Sequence, residues 1–384
     1  MTSRTYTAPS AVLQVKEISD GRPLDAFIDL AWQINGSDPL WVPPLRMSVR
    51  TALDRSKHPF HHHADVAYFL AERSGHPVGR IAAIVNHGHN EYHADRTGFF
   101  GLFESIEDPD VARALLEAAA DWLQRRGMTS MRGPMNFSTN EEISSPGVLI
   151  EGFDTPPMAM MSHNPPYYGA LLEGAGLVKA KDLVAFWLDD PNPPERLVRG
   201  MDRVVQRMGA VIRQLDLSRF RHEVDVIKDI YNSAWSRNWG FVPMTDAEFE
   251  HLAKEFRPIV DPSLCLIAEV RGEPVGFSLA IPNINHALKK LPDGRLFPFG
   301  LFRFLWHKRK IRGIRVITLG FKPGYQHSGL GAALYLHCWL NGTARGYDHG
   351  EASWILEDNL DMVLPLERMG ARPYKRYRIF ERPL

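Results

Sequence analysis

Apolar and polar positions along the chain follow the same succession of rhythms twice. Residues 67–86 read AYFLAERSGHPVGRIAAIVN and residues 264–283 read LCLIAEVRGEPVGFSLAIPN. Each is two β-type runs around a short Gly/Pro turn, the mark of a hairpin. Laid together without a gap they share nine of twenty residues, at an offset of 197 in a chain of 384. The flanks agree in element order. A strand-like run precedes each hairpin, Leu13–Ile18 and Ala210–Leu217. After the first hairpin come the apolar run Gly98–Phe103 and then Val111, Leu115, Ala118, Ala119, Trp122 and Leu123 at helical spacing, with Gly127 as a stop. After the second come Ile314–Gly320 and then Leu330, Ala333, Leu334, His337 and Cys338. The second half continues with a strand at Ala352–Leu356, a helix at Asn359–Met369 and a strand at Tyr374–Phe380. Prolines in the run 189–194 break regular structure between the halves. The pattern predicts two copies of one mixed α/β unit, residues 1–190 and 191–384, each a central mixed sheet flanked by helices.

Composition narrows the class. Apolar residues make up 44% and charged residues 23%, with 45 basic against 45 acidic side chains. That balance argues against a surface built for nucleic acid. Two cysteines, Cys265 and Cys338, cannot form a disulfide framework, and both sit in apolar patterns that read as core. The first residues lack the basic-then-apolar order of a secretion signal, and no eighteen-residue apolar run occurs. A cytoplasmic protein is expected. Sixteen histidines include His61-His62-His63 and His87-x-His89-x-x-x-His93. The second cluster follows a strand as a turn, without a companion ligand set, so surface or capping roles are expected and no metal.

The segment Ile314–Leu334 carries the most chemistry. A β-branched strand ends at Leu319-Gly320-Phe321, and the loop Gln326-His327-Ser328-Gly329-Leu330-Gly331-Ala332 opens a helix. Glycines where a helix begins leave backbone N–H groups bare, and with the helix dipole these suit a phosphate or pyrophosphate. Gln326-x-x-Gly329-x-Gly331 after such a strand resembles the acyl-CoA motif of the GNAT acyltransferases, and Leu366-Glu367-Arg368-Met369-Gly370-Ala371 resembles that family's later helix end. The resemblance covers 210–384 and, through the repeat, much of 12–188 more weakly. It implies two tandem GNAT-like domains and acyl transfer, foremost of an acetyl group from acetyl-CoA, to the amine of a small molecule or amino acid. It implies that amides across Gln326–Ala332 hold the CoA pyrophosphate, that Leu319, Gly320 and Phe321 pair with pantetheine, and that Asn359 belongs to the donor site. Longer acyl-CoAs, transfer of an aminoacyl group, and CoA binding without catalysis are the other outcomes it leaves open.

The sequence departs from the family where catalysis is concerned. Seven residues beyond Asn359 stands Leu366, where many members carry a tyrosine that protonates the leaving thiolate. Either Tyr374 or Tyr377 substitutes, or the thiolate leaves unassisted, since a thiol is already fairly acidic. No glutamate lies in Gly313–Gly320, which leaves Glu351 and Glu357, flanking the next strand, as candidate bases, directly or through water, with exposed strand-end carboxylates as the alternative.

In the first half the loop's place is taken by Glu104-Ser105-Ile106-Glu107-Asp108-Pro109-Asp110, which suits a helix start but repels a pyrophosphate. That half is expected to pack against the other or wall the acceptor site. Acceptor contacts are expected from Asn136, Ser138, Asn140 and Glu141, from Asn164–Tyr168, and from Trp235 and Trp239, with solvated-loop and core roles as the alternatives. Finally, residues 285–315 hold nine Lys/Arg against Asp293 alone, interleaved with Phe297, Phe299, Phe302, Phe304 and Trp306. Such a segment is a partly packed basic helix, a grip for the CoA 3′-phosphate, a wall for a long acyl chain, or a contact for an anionic membrane.

Overall fold

A computed structural model describes residues 12–18, 22–140, 145–235 and 238–384. The first half supplies β1 (Leu13–Ile18), β2 (Ala64–Arg73), β3 (His76–Asn86), β4 (Thr97–Ser105), β5 (Ser130–Gly133), β6 (Val148–Glu151) and β7 (Val178–Leu188). The second supplies β8 (Ala210–Gln214), β9 (Leu266–Val270), β10 (Glu273–Pro282), β11 (Gly313–Phe321), β12 (His349–Leu356) and β13 (Arg372–Pro383). All lie in one sheet, ordered β1-β2-β3-β4-β5-β13-β7-β12-β11-β10-β9-β8, with β6 also paired to β13. The expected α/β class with mixed sheets and flanking helices is what the chain adopts. Helix Pro109–Gln124 covers the first half's apolar face and helix Leu330–Ala344 the second's.

The repeated hairpins turn alike. Ser74 and Gly75 have φ of 52° and 77°, and Arg271 and Gly272 have 57° and 83°. Two successive positive φ values make the two-residue turn whose twist matches that of the strands. One expected strand is shorter than the hydrophobic pattern suggested. β8 ends at Gln214, because Asp216 accepts from the Ser218 amide and starts a 3-10 turn at Leu217–Arg219.

The halves exchange their last strands. β7 lies between β12 and β13, while β13 pairs with β5, β6 and β7, so each final strand is flanked by strands of the other half. Asp182 of β7 pins the exchange. Its carboxylate accepts from Arg378 Nε at 2.8 Å and Nη2 at 3.0 Å, and Lys179 Nζ stands 3.1 Å away. Burial alone would raise this carboxyl, but the Arg378 fork and Lys179 more than offset it and hold it below the usual value.

Each half contains a parallel strand pair that parts. β4 and β5 stay together only over 97–99 and 130–132, and β11 and β12 only over 313–316 and 349–352. In the first half the gap is filled. The Met135 amide donates to Phe100 O at 2.7 Å, and Asn136 Oδ1 accepts from the Leu102 amide at 2.8 Å. Gly101 is needed there, since a Cβ would overlap Met135 O. In the second half the gap stays open. Ile317 is an extra residue in β11 opposite Leu279–Ala280, and Ser353 and Trp354 interrupt the β12 pairing with β7, so bulges turn the two strands apart.

Because the native pKa of Asp182 lies below its unfolded value, the stability it contributes is complete above about pH 4 and lost as pH falls through the native value. Asp182→Asn, which leaves the Arg378 fork unmatched, is expected to cost about 3 kcal/mol at neutral pH. The difference from wild type, read from urea unfolding, should shrink below about pH 4.

Candidate functional site

The parted strands open into a cavity of about 550 Å³. One wall is the stretch of β11 from Arg315 to Phe321, whose edge toward β12 has no ladder partner beyond Val316 among the described residues. Ser353–Leu356 of β12 form the facing wall. The roof comes from two amphipathic helices, Phe220–Ala234 and Asp246–Phe256. They turn Val224, Ile227, Tyr231, Phe249, Leu252 and Phe256 inward. The second is set by a capping box between Thr245 and Glu248, and His63 Nε2 meets Glu248 Oε1 at 2.8 Å, tying the roof to the first half. The lining is mainly apolar and aromatic, with a few polar groups, as ligand pockets are.

At the mouth lies the glycine loop. Gln326, His327 and Gly331 line it together with Asn359 and Asp361. Gln326 Nε2 donates to Ala234 O at 3.3 Å, and His327 Nδ1 stands 3.4 Å from Asp361 Oδ2. Gly329 caps helix Leu330–Ala344 with φ of +85°, a conformation that favours glycine. Ser328 Oγ takes the Leu330 amide at 3.2 Å, whereas the amides of Gly329, Gly331 and Ala332 have no acceptor among the described residues. A Cβ on Gly331 would sit at ordinary contact distance from Leu319 and Phe321. Val204 of helix Glu195–Met208 approaches Gly329, and this helix also carries Arg196, Arg199, Arg203 and Arg207. Bare amides at a helix start fit a pyrophosphate.

Of the expected donor residues, Leu319, Gly320, Phe321, Gln326, His327, Gly331 and Asn359 border the cavity. Ser328, Gly329, Leu330 and Ala332 complete the loop, with the Leu330 side chain buried in the core beneath it. Trp235 lies against Gly320 so closely that a Cβ there would enter the ring. Trp239 also lines the cavity, with the guanidinium of Arg132 5.1 Å from its ring.

The first half reaches the cavity through Thr139, Asn140, Ser145 and Met160. Asn140 is held by the Tyr231 hydroxyl, which donates to Oδ1 at 2.6 Å, and by its own donation to Val242 O at 2.9 Å. Two other expected acceptor contacts lie elsewhere. Asn136 is spent on the Leu102 amide and Ser145 O, Ser138 is buried and takes the Asn140 amide, and Glu141 lies outside the described residues. Asn164 binds the Leu149 backbone, and Tyr167 and Tyr168 bond to Ser105 in the first half's core, so this segment does not close the cleft. The acidic stretch 104–110 divides similarly: Asp108 caps a helix and Glu104 accepts from Tyr168.

The carboxylate and tyrosines expected to be catalytic sit behind the cavity floor. Glu351 is 1% exposed and accepts from the hydroxyls of Ser353 and Tyr374. Arg315, also buried, lies 3.7 Å from Glu351. It donates to Ser353 Oγ at 2.8 Å, Ser353 O at 3.1 Å and Ala159 O at 2.7 Å. Burial pushes the Glu351 carboxyl up against the pull of Arg315, Ser353 and Tyr374, and burial beside Glu351 pushes the Tyr374 phenol up, keeping it a donor. Neither tyrosine lines the cavity. Tyr374 is committed to Glu351, and Tyr377 is fully buried with its hydroxyl unpartnered among the described residues. Glu357 is a surface tie to Lys179 and the Asp182 amide. Arg315 and Ser353 are the site residues the sequence left unseen. An arginine inside a β-branched strand was the available signal, hidden by its membership of a basic segment.

Among the described residues no three metal-ligating side chains come together. His89 is buried against His93, with ring centroids 4.4 Å apart, and burial lowers its pKa to about 4. Both cysteines are buried and free.

No protein-family model matches the chain. It is 39% identical over 390 residues to the bacterial ceramide synthase of Caulobacter vibrioides (strain NA1000 / CB15N), across 99% of this chain and 100% of that protein. It is 38% identical over 379 residues to protein YghO of Escherichia coli (strain K12), across 96% and 95%. Among solved structures, a tandem GNAT protein from the clavulanic acid biosynthesis pathway superposes with a TM-score of 0.56 at 12% identity, across 97% of this chain and 98% of that one. A fungal multi-domain β-N-acetylglucosaminidase with a GCN5-related glucosamine N-acetyltransferase region gives 0.57 at 16% identity; 98% of this chain matches but spans only 38% of that protein. At such identities the structures speak for the fold, which is the tandem GNAT fold.

Arg315 and Glu351 are buried as a pair, so removing one strands the other. Arg315→Leu is expected to destabilise the protein by about 3–5 kcal/mol, read from urea unfolding. Adding Glu351→Leu should recover more than half of that loss, because no unpaired charge then remains.

Proposed function

The chain belongs to the GNAT-fold family that holds the bacterial ceramide synthase of Caulobacter vibrioides and protein YghO of Escherichia coli, and from that premise we propose that it is an acyl-CoA-dependent N-acyltransferase for a long-chain amine. A ceramide is the amide of a fatty acid with a long-chain amino alcohol, so the relative's name gives the product class. The observation that carries the reading is the 550 Å³ cavity, mainly apolar in its lining, directly behind the glycine loop. An acetyl group has no use for such a lining, whereas each methylene buried there contributes about 0.8 kcal/mol. This favours the longer-chain alternative over acetyl transfer.

The donor substrate, an acyl-CoA, fits the loop on the bare amides of Gly329, Gly331 and Ala332. The unpaired edge of β11 offers backbone groups to pantetheine and a donor to the thioester oxygen. The amine attacks the thioester carbon, a C–N bond forms, and the C–S bond breaks. A thiol of pKa about 8.5 leaves as thiolate without a dedicated acid, which suits a cavity that neither Tyr374 nor Tyr377 lines. The amine's proton has a path through Ser353, a residue of the cavity wall whose hydroxyl donates to Glu351. Arg315 holds Ser353 in place for that transfer. Oriented reactants supply most of the acceleration such a reaction needs.

Thiol release from acetyl- and palmitoyl-CoA with sphinganine, and mass spectrometry of the amide, test the reading. A preference for the long donor of at least about tenfold is expected, the equivalent of roughly 1.4 kcal/mol. Equal use of acetyl-CoA, or no amide from either donor, counts against it. Gly331→Glu, with room for its Cβ but a carboxylate at the helix start, should weaken CoA binding by calorimetry at least about tenfold while the melting temperature holds. Ser353→Ala is expected to lower kcat by roughly 10²-fold with CoA affinity unchanged.

A further inference from the structure

The basic aromatic segment before β11 has a shape that the acyl-transfer site does not use. Helix Gly300–Lys308 buries none of its residues. Phe299, Phe302 and Trp306, spaced three and four apart on one helical face, are 71%, 72% and 61% exposed, and Phe297 just before the helix is 68% exposed. Single exposed apolar residues are ordinary, but a contiguous aromatic patch is not. Around it stand Arg295, Arg303 and Arg309, with no carboxylate within ion-pair distance among the described residues, and Lys310 beside the Trp306 ring.

The helix is held rather than loose. On one side its approach loop docks on the first half: the Trp32 indole donates to Pro292 O at 2.9 Å, and the Arg46 amide donates to Gly294 O at 3.0 Å. A Cβ on Gly294 would press into Pro44 O and Trp32, so the contact needs glycine. On the other side Lys308 Nζ donates to Pro258 O at 2.7 Å, next to Arg257, which lines the cavity. Both halves therefore fix the aromatic face outward, and its far anchor adjoins the cavity's end.

We propose that this face, Phe297 to Lys310, seats the protein on an anionic lipid bilayer, with the aromatic rings in the interface and the arginines and lysine at the headgroups. Charge complementarity selects the occupant. Unpaired cations around a fixed aromatic patch match a surface that is negative outside and apolar beneath, and each such cation is attracted to it. Among the described residues no helix is long and apolar enough to cross a membrane, so the contact is peripheral. The proposal goes beyond the acyl-transfer reading and stands without it.

The test is co-sedimentation of the full chain with vesicles of phosphatidylcholine alone and with roughly one-third phosphatidylglycerol. Wild type is expected to bind the mixed vesicles, more weakly as salt rises. F299S/F302S/W306S and R303E/R309E are each expected to lose at least about tenfold in partitioning, since roughly two interfacial charges or three rings go. Their melting temperatures should match wild type, because the replaced side chains are all exposed. A blue shift of tryptophan emission on vesicles, absent in W306F, places the ring in the interface. Equal binding by wild type and variants, or no binding by wild type, overturns the proposal. So does a wild-type dimer in sedimentation velocity that the aromatic variant dissolves without any vesicle binding, which assigns the face to a second copy. Amide formation from detergent-dispersed substrates separates the two readings. If it persists while vesicle binding fails, only the membrane face is lost; if vesicles bind and no amide forms, only the acyl-transfer reading is.

Discussion

The second-half cleft depends on Arg315, a cation taken out of water where β11 and β12 part. Such a group survives burial only if nearly all its donors are matched. Its partners are Ser353 on the facing strand, the Glu351 carboxylate, and Ala159 O from the other half of the chain. Hence one side chain sets the separation of the two strands, fixes the Ser353 hydroxyl in the cavity wall, and locks the first half's 158–161 loop against the floor. The apolar roof then has a frame to close over.

Both halves share an architecture and differ in what occupies the gap between their parted strands. In the first, the segment 134–137 returns into the gap, where the Met135 amide bonds Phe100 O and the Asn136 side chain takes the Leu102 amide. In the second, two bulges hold the gap open and the freed edge of β11 stays available. An unpaired strand edge facing an apolar cavity is costly unless something can bond to it. A ligand with an extended amide chain is the group that matches it. The first half has become wall and buttress: Asn140 and Met160 line the cavity, and His63 steadies its roof.

Much of this was legible in the sequence. The hairpin repeat rests on turn chemistry and strand alternation, which are local, and the structure repeats them nearly residue for residue. The glycine loop was legible because a helix start bare of side chains has few other uses. Residues joined by distant pairing were not legible. Nothing local marks β7 and β13 as exchanged, since an apolar strand reads the same whichever neighbour receives it. Tyr374 and Tyr377 lay near the right position in sequence, yet the placement of β13 turned both away from the cavity. Arg315 read as one more member of a basic run, though its neighbours in that run face solvent. Loop 133–140 shows the limit most plainly: Asn136 and Asn140 are alike in sequence, one spent on a ladder and the other set at the cavity.

The exchange of final strands also bears on how the chain must assemble. β5 is complete at Gly133, yet its partner begins at Arg372, 239 positions later (372 − 133). Until β13 arrives, the first half carries an open strand edge beside an apolar face, the surface that recruits foreign strands. Closure of so long a loop is slow, and it joins the two halves of the sheet at once. The chain is therefore bound to fold as a single cooperative unit. A fragment ending after β7 inherits a sticky edge in place of a domain, which makes splitting the halves for separate expression a route to aggregation.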